Sequence, residues 1–401
     1  MTTRPPVACS APGKLLVAGE YAVLEPGQPS IAVSVDRFVT VEVAPSPGGQ
    51  VVFDTDLLPH EVPMLRTATG LQANRAEDTR HHSGALAYLI SAVEVVDQLR
   101  LHLGQASLPL RLTVRSTLHE RGTKIGLGSS GAVTVAAIAA LADYHSIPMS
   151  PELRFRLALL ASIRVDPKPS GADLAASTWG GWVLYRAPDR DRLLCRLSKE
   201  GVARTLQAPW PRLSIRPLPP PSTLLLYAGW SGIPSSTSAR IGRLSSTAWW
   251  HSAAHNRFLK GSARCVTAMA EALEKDTPSK VLAAIRSTRR LLAALDQDTG
   301  LGVFTPQLTA LYSAAEACGG AGKPSGAGGG DCGIALLPKT ADIRALHTQW
   351  AAAGVTALPL RVTDPVHTEH RLLRAGPDIA QRGSLPAPSS QTKESSDDRI
   401  A

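Results

Sequence analysis

Short apolar runs separated by turn residues fill the first fifty positions. Lys14–Ala18, Ser30–Val35 and Phe38–Val43 are rich in Val, Ile, Phe and Thr and are bounded by Gly and Pro, the pattern of strands. The period then changes: Leu86, Leu89, Ile90, Val93, Val96 and Leu99 place one apolar stripe along a helix over Ser83–Leu103. Leu110–Thr117 alternates again and predicts a strand, Ala132–Tyr144 a small-residue helix, and Gly180–Tyr185 another strand. Pro217–Pro221 (PLPPP) predicts a break outside any regular element, because proline lacks the amide donor and fixes φ. Beyond it the pattern predicts a strand at Thr223–Ala228 and helical stretches around Thr247–Leu273, Lys280–Asp296 and Pro306–Cys318. A glycine-rich loop, Gly319–Gly330, then leads to a strand (Cys332–Leu337), a helix (Ala341–Ala353) and a strand (Val355–Val362). The expected organisation is an N-terminal domain over 1–215, an α+β domain over 216–375 and a disordered tail over 376–401, rich in Ser, Pro and charge.

Composition narrows the class without choosing a function. The 401 residues are 44% hydrophobic and 19% charged, ordinary for a globular chain of two domains, and this excludes a coiled coil or a wholly disordered polymer. No apolar run reaches the roughly 20 residues of a membrane span, and the N-terminus lacks the apolar core of a signal peptide. Five cysteines without a C-x-x-C pair predict neither a disulfide framework nor a zinc site, and a reducing cytoplasm is the expected compartment. The net charge of +9 suits nucleic acid, a membrane surface or small anions. Aromatics are only 4% and no Lys/Arg cluster interleaves with them, which speaks against nucleic acid.

Three segments carry the candidate chemistry. Gly126-Leu-Gly-Ser-Ser-Gly131 fits the dinucleotide fingerprint G-x-G-x-x-G, but His119–Ile125 separates it from the preceding strand and the second-strand acidic residue is missing. What it offers is a row of N–H groups at a helix start beside two hydroxyls, an anion site; a tight strand-to-helix turn is the plain alternative. Gly319–Gly333 is not a Walker loop, since Ala317 stands where the first glycine belongs and Pro324 follows Lys323. Its run into an apolar strand favours close approach of backbone to a ligand over a linker. Ala11-Pro-Gly-Lys14 sets a lysine at a strand start.

In this order, APGK, GLGSSGA and KPSGAGGGDCG resemble the three motifs of the GHMP kinases (galactokinase, homoserine, mevalonate and phosphomevalonate kinases). KLLVAGEYAVLEPGQPSIAVSVDRF, GLGSSGAVTVA, AGWSGIPSSTS and KPSGAGGGDCGIAL are similar to the bacterial phosphomevalonate kinases, over about Ser10–Val362. Lys168-Pro-Ser-Gly-Ala-Asp173 and its continuation to Gly181 also resemble mevalonate kinases, the alternative. The resemblance implies a two-domain GHMP-kinase fold, with an N-terminal α/β nucleotide-binding domain, a C-terminal ferredoxin-like α+β domain and the active site in the cleft between them. It also implies ATP as donor, phosphomevalonate as acceptor, Mg2+ as cofactor, and no nucleic-acid or membrane partner.

The same resemblance implies residue roles. Lys14 and Asp173 are the expected catalytic pair. Lys124, Gly126, Leu127, Gly128, Ser129, Ser130, Gly131 and Ala132 are expected around ATP, with Ser130 at magnesium. Tyr21, Ser170, Gly171, Ser235, Gly328, Gly329 and Asp331 are expected around the acceptor, with Lys14 and Asp173. Mevalonate kinases carry a magnesium-binding glutamate where this chain has Ser162, which leaves Ser130, phosphates and water. Arg37, His82, Ser235, Ser236 and Arg240 are candidates for the acceptor's phosphate and carboxylate, and Lys168 and Lys323 are the remaining motif lysines. Trp179, Trp230, Trp249 and Trp250 are expected in packing rather than at adenine. A phosphate monoester, with a second pKa of about 6, is largely a dianion at pH 7, so Asp173 is expected to orient Lys14 and substrate rather than act as a strong base.

Overall fold

The computed structural model describes residues 4–73, 86–120 and 123–372; His82 and the expected tail lie outside them. The first apolar runs pair with each other. Strand β1 (Val7–Ala18) is antiparallel to β2 (Pro29–Pro45), from Val7 opposite Val43 to Ala18 opposite Ile31. The two strands expected at 30–35 and 38–43 are one strand of 17 residues. Their pairing with β1 shifts register at Pro12/Gly13, where proline offers no donor and glycine no side chain. A Cβ on Gly13 would stand 2.6 Å from the Leu118 side chain and 2.9 Å from the Leu127 carbonyl. That close approach lets the Lys14 N–H donate to Leu127 O at 2.8 Å, tying β1 to the glycine loop.

The first half continues through β3 (Val51–Thr55), β4 (Val62–Thr67), β5 (Gly70–Ala73), α1 (Ala87–His102), β6 (Leu110–Ser116) and the short pair β7 (His119–Glu120) and β8 (Thr123–Lys124). Then come α2 (Ser129–Tyr144), α3 (Pro151–Val165), α4 (Ala172–Trp179), β9 (Trp182–Arg186), α5 (Arg190–Gln207) and β10 (Ser214–Leu218). An eight-stranded sheet has the order β10-β9-β2-β6-β3-β4-β5, with β1 on β2. Helix α2 is apolar on nearly every side, as a helix surrounded by protein must be; β1 and β2 lie beneath it and α1, α3 and α4 around it. The expected break at PLPPP is corrected at its start. Pro217 and Leu218 belong to β10, which pairs with β9 across the expected boundary at 215/216. As the sheet's edge strand, β10 tolerates the missing donor.

The second half contains β11 (Leu224–Trp230), α6 (Thr237–Ser245), α7 (Ala253–Glu274), α8 (Pro278–Thr299), α9 (Pro306–Ala317), β12 (Ala321–Pro324), β13 (Cys332–Pro338), α10 (Ile343–Ala352), β14 (Thr356–Leu358) and α11 (Pro365–Leu372). Its sheet, β12-β13-β11-β14, is antiparallel throughout, in ferredoxin-like order. Part of the expected glycine loop is therefore strand: β12 is buried and pairs with β13, so the loop proper begins at Ser325. The last expected strand is cut to three residues by Pro359. The chain then returns to the first half, where Val362 bridges to Val35 and α11 packs on β1 and α4. A hydrophobic cluster including Tyr21, Leu24, Ile241, Phe258 and Leu292 joins the turn after β1 to α6, α7 and α8. Among the described residues no helix is long and apolar enough to cross a membrane.

Candidate active site

A cleft of about 400 Å³ is walled by residues from both halves of the chain. Three helices present their first turns to it: α2 through Ser129 and Ser130, α4 through Ala172 and Asp173, and α6 through Thr237 and Ser238. Helix N-termini carry partial positive charge and unpaired N–H groups, and the open one here is α2, because on α4 the Ala172 and Leu174 N–H groups already donate to Ser170 Oγ and Asp173 Oδ1. The cap of α2 is Gly128, left-handed at φ 75° and without a side chain to occupy the first amides. On α6, by contrast, Ser236 caps its own helix by accepting from the Ala239 N–H. The cations in the lining are Lys14 and Lys124, set against the carboxylates of Glu20, Asp173 and Asp331.

Each glycine of the G-x-G-x-x-G run makes room for one charged side chain. A Cβ on Gly126 would lie 2.6 Å from Cβ of Asp331, one on Gly128 2.9 Å from Cε of Lys14, and one on Gly131 2.6 Å from Oδ2 of Asp173. The spacing thus records three approaches and not a dinucleotide turn. Burial pushes the Asp173 carboxyl above its ordinary pKa against the opposing charge of Lys14 and the Leu174 N–H, which donates to Oδ1 at 3.0 Å. Asp331 is raised by burial too, against the Ser235 N–H at 2.9 Å and the charges of Lys14 and Arg240.

Lys14, Tyr21, Lys124, Gly126, Leu127, Gly128, Ser129, Ser130, Ser170, Asp173, Ser235 and Asp331 are brought together in the lining, and Gly131 stands behind Asp173. Besides Gly131, four residues expected around ATP or the acceptor are not in it. Ala132 is buried within α2; Gly171 packs on Leu159 and Tyr185, Gly328 on Val303, and Gly329 on the Arg240 guanidinium. Arg240 donates to Ser235 Oγ (2.8 Å) and Leu301 O (2.7 Å), so it braces the wall, and Arg37 and Ser162 are outside the lining. Of the other motif lysines, Lys168 is exposed outside the lining and Lys323 is fully buried in an ion pair with Glu20. Trp179 packs on Phe155 and Trp249 on Phe258, with ring centroids 5.7 and 5.6 Å apart, and neither lines the cleft.

Two functional candidates escaped the sequence reading. Tyr88, in the first turn of α1, falls off the apolar stripe of that helix, the signal that marks it; its hydroxyl is pushed up to about 12 by burial and by Asp173 and Asp166. Glu20 follows β1 and pairs with Lys323 across the two halves. For a metal, the hydroxyls of Ser129 and Ser130 near Asp173 form an all-oxygen set, which fits Mg2+ better than a softer ion. Glu25, His251 and His255 also gather metal-type donors within 4.8 Å outside the cleft, but His255 Nδ1 already accepts from the His251 N–H at 3.1 Å.

The family models for the GHMP kinases N terminal domain and the GHMP kinases C terminal match residues 87–181 and 269–356. A phosphomevalonate kinase of Streptomyces sp. (strain CL190) is 50% identical over 356 residues, covering 87% of this chain and 95% of that protein. A mevalonate kinase of Thermococcus sibiricus is 26% identical over 341 residues, covering 83% and 90%. The solved structure of Streptococcus pneumoniae phosphomevalonate kinase in complex with phosphomevalonate and AMPPNP is similar at a TM-score of 0.77 and 26% identity, covering 89% of this chain and all (100%) of that one.

Proposed function

The chain belongs to the GHMP kinases, within their phosphomevalonate kinase group, and from that premise we propose that it transfers the γ-phosphoryl group of ATP to (R)-5-phosphomevalonate, giving 5-diphosphomevalonate and ADP. One observation carries the reading. Lys14, Asp173 and the uncapped first turn of α2 meet in one cleft, in a chain 50% identical to a phosphomevalonate kinase.

Phosphoryl transfer asks for alignment and neutralised charge more than for covalent chemistry. In this reading the ATP phosphates lie on the amides and hydroxyls at 129–131, with Lys124 at the rim. Lys14, laid across Gly128, reaches the moving phosphoryl group, and its charge acts on the carboxylates of both Asp173 and Asp331. The acceptor lies against Tyr21, Ser170, Ser235 and Asp331. Mg2+ would be held by Ser130 together with the nucleotide's phosphates, and it supplies charge neutralisation on the transferring group. The acceptor phosphate, largely a dianion at pH 7, attacks without first losing a proton, so Asp173 acts by orientation.

A coupled assay for ADP, offering phosphomevalonate and mevalonate separately with Mg-ATP, tests the proposal. Phosphomevalonate should be preferred by at least about 100-fold in kcat/KM, within the range that unmatched polar groups impose. A preference for mevalonate would move the assignment to mevalonate kinase.

A further inference from the structure

Tyr88 is the residue in the first turn of α1 that turns away from the core. Ala87, Leu89 and Ile90 are buried, whereas Tyr88 is half-buried and lines the cleft together with Ser170 and Asp173. Its hydroxyl makes no hydrogen bond with any described residue and is not enclosed, so it stays accessible. Burial, with the charges of Asp173 and Asp166 acting on that oxygen, pushes the phenol up to about 12, so at neutral pH it keeps a proton to donate. Three other hydroxyls of the wall are already committed. Tyr21 donates to Ala327 O at 2.6 Å, Ser235 to Gly328 O at 2.9 Å and Ser238 to Asp166 Oδ2 at 2.7 Å.

The open hydroxyl belongs to the part of the cleft where transfer occurs. On the reading proposed above, the acceptor's phosphate attacks the γ-phosphoryl group beside Lys14 and Asp173, and the charge of Asp173 also reaches Tyr88. That phosphate is largely a dianion at pH 7 and meets a carboxylate there, so it needs donors besides Lys14. A neutral phenol suits it, because it gives a hydrogen bond to a charged oxygen and does not itself become a further anion. The nucleotide's phosphates have the open amides at the start of α2 instead. We infer that Tyr88 is a specificity-determining residue, its hydroxyl donating to an oxygen of the acceptor's phosphate. The contact exists for 5-phosphomevalonate and not for mevalonate, whose C5 carries a hydroxyl, so it favours the phosphorylated acid.

The test compares the wild-type enzyme with Tyr88→Phe, which keeps the ring and removes a hydroxyl that no described residue uses. Calorimetry gives Kd for 5-phosphomevalonate and for AMPPNP, and competition in the ADP assay gives Ki for mevalonate. In the variant Kd for 5-phosphomevalonate should rise about 10- to 150-fold, the range of a hydrogen bond to a charged group. Kd for AMPPNP and Ki for mevalonate should each change by less than about 2-fold, since neither ligand loses a bond. These constants do not depend on the folded fraction, and a disturbed cleft would move all three together. An unchanged Kd for 5-phosphomevalonate overturns the inference. So does an equal rise for mevalonate, which would place the hydroxyl on the part the two acids share, or a rise confined to AMPPNP, which would place it on the nucleotide. If the wild type phosphorylates mevalonate and not phosphomevalonate, the reading of the acceptor fails by itself. Phosphomevalonate is then the product, its phosphate stands at the same transfer position, and its Kd in the two proteins still decides the role of Tyr88.

Discussion

Gly131 has an ordinary backbone φ, unlike Gly126 and Gly128, so its missing side chain matters only for the space it leaves to Asp173. Gly131→Ala should therefore favour the helix by up to about 1 kcal/mol on propensity while displacing the carboxylate. A displacement approaching 1 Å at a positioning group costs about 100-fold, so kcat/KM should fall by that order with little loss of thermal stability. Steady-state kinetics beside calorimetry will show it, and unchanged kinetics would mean that the carboxylate's position is unimportant. Asp173→Asn asks the complementary question. If Asp173 orients rather than abstracts a proton, the variant loses less than the ~10⁴-fold upper range of acid–base catalysis. Its kcat/KM should still rise with pH through about 6, because that limb belongs to the acceptor's phosphate. Disappearance of the limb would make Asp173 the base. In the sequence the glycines were readable as an anion loop, but not which side chains they admit; Lys14, Asp173 and Asp331 come from three distant segments, and only the fold sets them against 126, 128 and 131.

Helix α2 was legible because its apolar run is long and its glycine start is distinctive, whereas α4 and α6 were not. Their eight and nine residues (ADLAASTW and TSARIGRLS) are too short for a period to stand out, and α4 is buried on most sides, which erases amphipathicity. Yet those two helices supply two of the three N-termini at the cleft. The far end of α2 carries a separate consequence. His145 caps it, 3% exposed, with both ring nitrogens unpartnered, while Arg4 donates to the Tyr144 carbonyl at 2.6 Å. Burial, with Arg100, Arg4 and Arg66 nearby, pushes the imidazole down to about 3. An unfolded chain takes up this proton below about 6.5 and the folded one does not, so the contribution of His145 to stability is present above that pH. It is lost as pH falls towards 3, at up to about 1.4 kcal/mol per pH unit. His145→Phe should flatten the fall of Tm between pH 7 and pH 5 relative to the wild type; parallel Tm curves would refute the assignment.

Across the whole molecule, the +9 charge and the anion site prove to be largely separate. The lining holds two lysines against three carboxylates, so phosphate would be held through the open N–H groups at the start of α2 more than through accumulated cations. Lys323, which the sequence offers as a motif lysine, is neutralised inside the protein by Glu20, and this pair together with the Ser325–Leu16 bonds stitches β12 to the end of β1 directly beneath the site. The arginine surplus lies elsewhere, with exposed members such as Arg257 and Arg344 outside the lining. Charges more than about 8 Å away are largely screened at physiological ionic strength. Replacing Arg257 and Arg344 together by Gln, which removes two positive charges, should then leave KM for ATP within about two-fold. Lys124→Gln, which removes only one, should raise that KM about ten-fold through a lost charged hydrogen bond. The ratio between the two effects, measured at fixed salt, distinguishes a local contact from a global field: if the arginine pair raises KM as much as the single lysine does, the net charge itself draws the nucleotide in.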